Sequence, residues 1–530
     1  GQAAAIETEQ GKVSVDLSGQ QYKTLPIAGN RYSGTAPVLA TLPHVQPVAG
    51  GGFSGAGFSG QTGSQVHMAM DGVKEETLNT QTVNLEAVEE LKLTAVNNTA
   101  EYGRIGYFDT VSKRGTNRFH GELSYYQQNS AFNSRSFFER QKTRDLYHMF
   151  NVSASGPIFR DKTFFYVLWN GERVPGQTFR TRNVPSEAMR RGDFSQLLGL
   201  SNPVVIRDPL TNQPLPGNVI PTSRLNATTT QVQEKYIPAP NTGGPDNLVN
   251  NFAWVHPYPS DQFRADVIVV RGDHQLTNNN SLYGRLSTYL PRYILPGNYP
   301  TMAATSRRQS HSWVFGDTHV FSPTLVNTFT FGGNRNGRDV GIEIDGYKPP
   351  SGYEVIQELG LQGLYPAVAN LGDKGAGFPT MVITGYTDVT LSPGGRNDPW
   401  NFNFADSLTW STSRHVVKFG GELRTYRDFT GVVPAGTYGE FNFNGTFTGN
   451  AYADFLFGIP YSSERLDPIL DRTRRMKELG LFVTDTFKVT SRLNLDIGLR
   501  WDYFTSTTYD DGLMFNWDPA TGDIVVPENR

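Results

Sequence analysis

The sequence predicts a mainly β protein, with about eleven long antiparallel strands preceded by a small α+β module. Three observations predict it. From about residue 117 onward, apolar and polar residues alternate with period two. Many alternating runs exceed the ~5–6 residues of an ordinary strand and reach the ~9–11 that a tilted bilayer-crossing strand needs. Short turns alternate with long connections, which places all the long connections at one end of the sheet.

Residues 1–115 differ from the rest. They are rich in small residues and carry a polar Gly/Ser/Gln tract at 50–66. In "NLEAVEELKLTA" (84–95), Leu85, Val88 and Leu91 fall at i, i+3 and i+6 with Glu86, Glu89 and Glu90 between them, which predicts a helix. The stretch "VAGGGFSGAGFSGQTGS" (48–64) matches G-x-G-x-x-G twice, at Gly50, Gly52 and Gly55 and again at Gly55, Gly57 and Gly60. A dinucleotide site needs a buried strand before this pattern and a helix opening at its end. Pro43 and Pro47 break the preceding segment, and "QVHMAMDGV" after it alternates like a strand, with Asp71 reading as a turn residue. Glycine here permits an irregular, tightly packed backbone. No cofactor site is expected.

The strands follow at about 117–129, 146–157, 162–174, 262–275, 281–291, 309–321, 325–336, 399–411, 415–428, 476–489 and 493–506. "RLNLDIGLRWDYF" is the clearest. Leu493, Leu495, Ile497, Leu499, Trp501 and Tyr503 point one way, and Asn494, Asp496, Gly498, Arg500 and Asp502 the other. Pairs are closed at 159–162, 276–280, 322–324, 411–414 and 490–492. Between them run 130–145, 175–261, 292–308, 337–398 and 429–475. A soluble sandwich does not need strands this long, and a propeller would show a repeat of ~40–50 residues that is not found. The pattern is that of an antiparallel transmembrane β-barrel with short periplasmic turns and long extracellular loops. The apolar face of 493–503 is expected to meet lipid.

Composition narrows function. Net charge is −3, with no Lys/Arg block, so nucleic acid is not an expected partner. There is no cysteine, which excludes disulfides, thiolate metal sites and Cys nucleophiles. No H-E-x-x-H, P-loop or G-x-S-x-G occurs, so no metal or catalytic site is expected. The nine histidines are scattered, and His120, His148 and His319 within strands read as lumen or girdle residues. Nothing at "GQAAAIETEQ" reads as a signal peptide, which suggests a mature or truncated chain.

Residues 85–138, "LEAVEELKLTAVNNTAEYGRIGYFDTVSKRGTNRFHGELSYYQQNSAFNSRSFF", resemble the plug-to-barrel junction of Oar-like TonB-dependent outer-membrane receptors. The resemblance is carried by Glu86 to Leu91, Ala100 to Arg104, and Lys113 to Gly121. "SGPIFRDKTFFYVLWNGER" (155–173), "VPSEAMRRGDFS" (184–195), "DPLTNQPLPGNVIPTSRL" (208–225) and "AYADFLFGIP" (451–460) resemble further segments of that family. The resemblance implies a lead-in at 1–20, a plug at 21–115 and a partial barrel at 116–530. The family's N-terminal immunoglobulin-like or carboxypeptidase-regulatory-like domain has no counterpart here. About eleven strands would be half of a 22-stranded transporter, so a fragment of a longer receptor is expected.

The implied function is not enzymatic. It is uptake of an unidentified extracellular ligand by plug displacement, in the outer membrane of a Gram-negative-type bacterium, with membrane lipid and a TonB-type energy-coupling protein as partners. The TonB box itself is not recognisable in residues 1–20. The alternative is a surface adhesin or assembly component that uses its long loops, including the proline-rich tract 175–261, for macromolecular contacts. A secreted β-rich carbohydrate-active enzyme is a third class, which would need paired carboxylates. Arg31, Glu101, Arg104, Lys113 and Arg114 are the expected contacts between plug and barrel.

Overall fold

The computed structural model describes residues 13–19, 21, 45–46, 57–58, 61–62, 66–75, 85–96, 99–103, 106–132, 134, 142, 146–175, 179–244, 247–255, 263–364, 375–432, 436–466, 471–510, 512 and 516–525. Five strands near the N-terminus form one sheet: β1 (Val13–Ser18), β2 (Val66–Met70), β3 (Val73–Glu75), β4 (Val88–Val96) and β5 (Gly106–Ser112), in the order β1-β4-β5-β2-β3. β2 and β3 are joined by a turn at Asp71-Gly72, both with positive φ. A strand, not a helix, thus follows the glycine tract. Gly50, Gly52, Gly55 and Gly60 lie outside the described residues. β1 falls inside the segment expected as a lead-in, so the sheet begins nearer residue 13 than residue 21.

The helix expected over 84–95 is not formed. Leu85–Ala87 is a single 3-10 turn, and 88–96 is strand β4. The cause is a bulge between Val88 and Glu90 in the pairing with β5. The extra residue puts Val88 and Leu91, three apart, on the same buried face, with Leu93 following two residues on. A bulged strand and one helical turn therefore share the same apolar spacing.

The second sheet has thirteen strands among the described residues, the short Arg292–Leu295 and Thr508–Tyr509 lying off its main path, and eleven along that path in sequential order: β6 (His120–Asn129), β7 (Leu146–Phe159), β8 (Thr163–Val174), β9 (Phe263–Thr277), β10 (Asn280–Tyr289), β11 (Ala304–Ser322), β12 (Leu325–Val340), β13 (Gly395–Ser411), β14 (His415–Val432), β15 (Arg472–Lys488) and β16 (Asn494–Phe504). Each expected run coincides with one of them. Every neighbouring pair is antiparallel. β6 and β16 are the two ends of the order and are not paired with each other.

The two faces of this wall differ as the alternation requires. Val167, Val270 and Leu286 are register partners on three adjacent strands and lie exposed on the outer face. On β16 all residues but Arg500 are exposed, and Arg500 marks the inner face by pairing with Glu422 and donating to the Glu101 carbonyl. His148 belongs to this outer side, with its Nδ1 2.7 Å from the Tyr125 hydroxyl. The inner face carries the N-terminal sheet. Ala87 is buried among Tyr166, Leu168, Ala265, Val267, Val269 and Tyr289 of the wall. Gly332 is needed there, because a Cβ on it would stand 2.4 Å from Val73 Cγ2 of β3 and 2.5 Å from the Trp313 carbonyl.

Much of the described part of the long connections packs into one apolar core. It is reached from described residues within 184–254, 299–302, 355–391 and 443–456 and includes Phe194, Tyr299, Phe378 and Tyr452. Besides the single α-helical turn Glu187–Arg190, three longer helices are described in this cap: α1 (Ala227–Tyr236), α2 (Gly352–Leu359) and α3 (Ala451–Phe457). Asn226, Ser351 and Asn450 cap their N-termini, each side chain accepting from backbone N–H groups of the first turn. α2 and α3 end on Gly360 and Gly458 in the left-handed conformation. The "AYADFLFGIP" segment is thus a capped helix anchoring the cap core.

Candidate functional site: the interface between inner sheet and wall

The β2–β3 turn drives a carboxylate into the wall. Asp71 is only 3% exposed and accepts from the Ser112 backbone N–H at 2.8 Å and from the Ser112 hydroxyl at 2.9 Å. From the wall, Arg285 donates through Nε at 2.5 Å and Arg271 through Nη1 at 3.3 Å. Arg271 is also paired with Asp273 at 2.8 Å. Two guanidinium groups therefore face two carboxylates, and the buried group is close to neutral. Arg285 further donates to the Met70 carbonyl, and the Tyr283 hydroxyl to that of Asp71.

A second cluster lies beside β14. Lys74 of the inner sheet meets Glu422 at 2.5 Å, and Arg500 of β16 meets the same carboxylate at 2.6 Å. Arg500 also donates to the Glu101 carbonyl at 2.7 Å, while the Glu101 carboxylate pairs with Lys418. Burial pulls the Lys74 ammonium down to about 8, although Glu422 opposes the shift. Arg500 thus points inward while its neighbours Leu499 and Trp501 point outward.

The five expected contact residues divide. Glu101 reaches the wall at Lys418. Lys113 lies 3.9 Å from Glu122 on β6, and Arg114 is exposed. Arg31 and Arg104 lie outside the described residues. Sequence reasoning missed Asp71, Lys74, Arg271, Arg285, Glu422 and Arg500. Their available signal was a charge at an inward position of a long alternating strand, or at a tight turn. Among the described residues, no group of three or more His, Asp or Glu is placed to hold a metal ion.

Asp109 on β5 receives the Gly72 N–H at 3.3 Å. Burial first, and the Asp71 carboxylate second, push it up to about 6. Because the folded value lies above the ordinary 3.8, its contribution to inner-sheet stability is full below 3.8 and is lost as pH rises through 6. Asp109→Asn is expected to flatten the pH dependence of inner-sheet protection between those values, as read by amide exchange across Gly106–Ser112. An unchanged pH profile would show that Asp109 titrates normally.

Above the inner sheet the wall encloses a cavity of about 370 Å³, lined among others by Asn334, Asn336, Asn401, Tyr426, Asp428 and Arg474. Asn334 links cavity and inner sheet, donating to the Lys74 carbonyl at 3.3 Å.

An antiparallel wall that is apolar outside, polar inside and occupied by a separate sheet defines an outer-membrane β-barrel protein. Residues 111–530 match the family model of the outer membrane beta barrel domain, and the chain belongs to that family. Its place is the outer membrane of a Gram-negative bacterium. No curated protein matches the chain. Among solved structures it is similar to the siderophore receptor PirA from Acinetobacter baumannii (TM-score 0.53, 12% identity, 96% of this chain and 59% of that one). It is also similar to the outer membrane transporter YddB from Escherichia coli (0.52, 12%, 94% and 57%). The alcaligin outer membrane receptor FauA from Bordetella pertussis gives 0.51 at 10%, over 94% and 59%. At these identities the likeness shows the fold alone, one shared with these outer-membrane receptors and transporters. The chain spans 57–59% of the length of these three structures.

Proposed function

We propose that the protein is a TonB-dependent uptake receptor in which the inner sheet, together with the rest of residues 13–115, is the plug and 116–530 forms barrel wall and extracellular cap. The observation that carries this reading is the chemistry of the interface. Among the described residues the inner sheet meets the wall through ion pairs and hydrogen bonds, beside an apolar patch around Ala87. Charges that leave such an interface are rehydrated, so displacement costs less than tearing an apolar core of equal area. An extracellular ligand would enter through the cap into the cavity at Asn334 and Tyr426. A TonB-type partner pulling from the periplasm would then open the path. The resemblance to Oar-like receptors favours the same reading.

The chain's lack of cysteine makes a clean test possible. Ala100 lies against the wall, where a Cβ on Gly498 would stand 2.7 Å from its own. In living cells an Ala100→Cys variant is expected to react with a membrane-impermeant maleimide faster when the inner-membrane proton gradient is intact than after a protonophore. The doubly substituted Ala100→Cys/Gly498→Cys protein, once oxidised, is expected to lose that difference and to regain it on reduction. Equal labelling with and without the gradient overturns the uptake reading.

A further inference from the structure

The cap contains two arginines that its own chemistry does not use. Arg180 and Arg182 lie on the short strand Phe179–Arg182, paired with Phe252–Val255, and at i and i+2 they share one face. That spacing puts the two cations on a common surface roughly 7 Å apart along the strand. Both line a pocket of about 400 Å³ between the segments around 295–304, 378–393 and 436–438. No Asp or Glu is among the described residues lining it, and neither arginine has an ion-pair partner among the described residues.

The two differ in how they are held. Arg182 is oriented by donating to the Asn298 carbonyl at 3.1 Å and to the Thr181 carbonyl at 2.9 Å. Arg180 makes no hydrogen bond among the described residues, and its Nε is buried without a partner. Burial, and then the neighbouring Arg180 guanidinium, lower the Arg182 pKa from its ordinary value. Elsewhere in this protein arginines find carboxylates: Arg224 pairs with Asp208, Arg335 with Asp398, and Arg173 with Asp266. A half-buried pair of like charges left without an anion is costly unless a ligand supplies the missing charge.

The rest of the pocket shows what carries that charge. Leu295, Met302, Phe378 and Leu391 give it an apolar lining, and Thr380, Thr390 and Ser392 add hydroxyl donors. A guanidinium presents a planar fork of N–H donors matched to carboxylate and phosphate. We propose that this pocket binds a soluble organic acid, a carboxylate or phosphate oxyanion borne on an apolar body. Its oxygens are taken by Arg180 and Arg182, and its body lies against Leu295 and Phe378. A lipid headgroup is not the source, because the pocket is framed by cap segments packed on the cap's own core and not by the lipid-facing band.

The proposal deepens the receptor reading by naming the ligand chemistry, and it rests on that reading only for the side from which the ligand arrives. The test is calorimetric titration of the full chain in detergent micelles with phenylphosphate and phenylacetate, and with neutral benzyl alcohol as the shape control. Saturable binding of both anions is expected, weakened by raised salt, with benzyl alcohol giving none. Arg180→Gln and Arg182→Gln should each weaken anion binding at least about ten-fold. Arg180→Gln should leave the unfolding temperature unchanged, since the Arg180 side chain makes no hydrogen bond or ion pair among the described residues. Arg224→Gln, at the half-buried Asp208 pair outside the pocket, should leave binding unchanged. No saturable binding of either anion, equal binding of benzyl alcohol, or full affinity in Arg180→Gln overturns the proposal. Micelles contain no energy source, so this outcome is independent of whether plug labelling responds to the proton gradient.

Discussion

Asp71→Asn is expected to loosen the inner sheet from the wall by about 3–5 kcal/mol, the cost of removing one partner from a buried charge pair. The substitution keeps the side-chain shape. It also keeps the residue type that tolerates the positive φ of 51° at this turn, so the effect isolates the charge. What remains is Arg285, with no exposed side-chain surface, and Arg271, both facing the turn, with Asp273 paired to Arg271 alone. The expected readout is loss of amide-exchange protection over residues 66–75 and 106–112, with the wall strands still protected. Adding Arg285→Met should restore part of that protection, because removing both charges leaves neither unpaired. Full protection in the single variant would show that the network does not hold the sheet, and would remove the observation on which the uptake reading stands.

The wall was legible in the sequence because alternation is local. Each of the eleven strands can be read from its own ten or so residues, and β16 declares both faces within 493–503. Only the extents were misjudged. β11 begins at Ala304 where 309 was expected, and β14 runs to Val432 where 428 was expected, both on the long-loop side. These strands continue beyond the bilayer to carry the cap, and there the apolar outer face that defines a membrane strand is no longer required.

The cap and the interface were not legible, for different reasons. Cap residues such as Val184, Phe194, Tyr299 and Phe378 have no common period, because they reach one core from four separate segments. The Asp71 network joins residues about 200 positions apart, and Asp71 by itself looks like any Asp-Gly turn. The inward arginines carried more signal. Arg271 follows the buried Val267 and Val269 on the inward face of β9, and a buried charge there needs a counter-charge. The 84–95 segment failed for a third reason, since a β-bulge imitates helical spacing.

The second large effect is expected on the outer face, and it depends on depth. β9 leaves the short turn at Thr277 and runs toward the cap. A crossing of ~9–11 residues therefore puts Val270 near its middle and Leu276 near its end. Both share the outward parity, with exposures of 44% and 52%. Val270 is flanked in register by Val167 and Leu286, so an arginine there has only apolar neighbours and lipid. Val270→Arg should cost about 2–4 kcal/mol of folding free energy in a bilayer, and Leu276→Arg about 0–1, because near the interface the guanidinium reaches water. Urea titration of the full chain folded into phosphatidylcholine vesicles measures both. In detergent-free buffer the ranking has no reason to hold, since both sites would face water. Equal costs in vesicles would place this face outside the hydrocarbon and break the assignment of the wall to the membrane, whatever the inner sheet does.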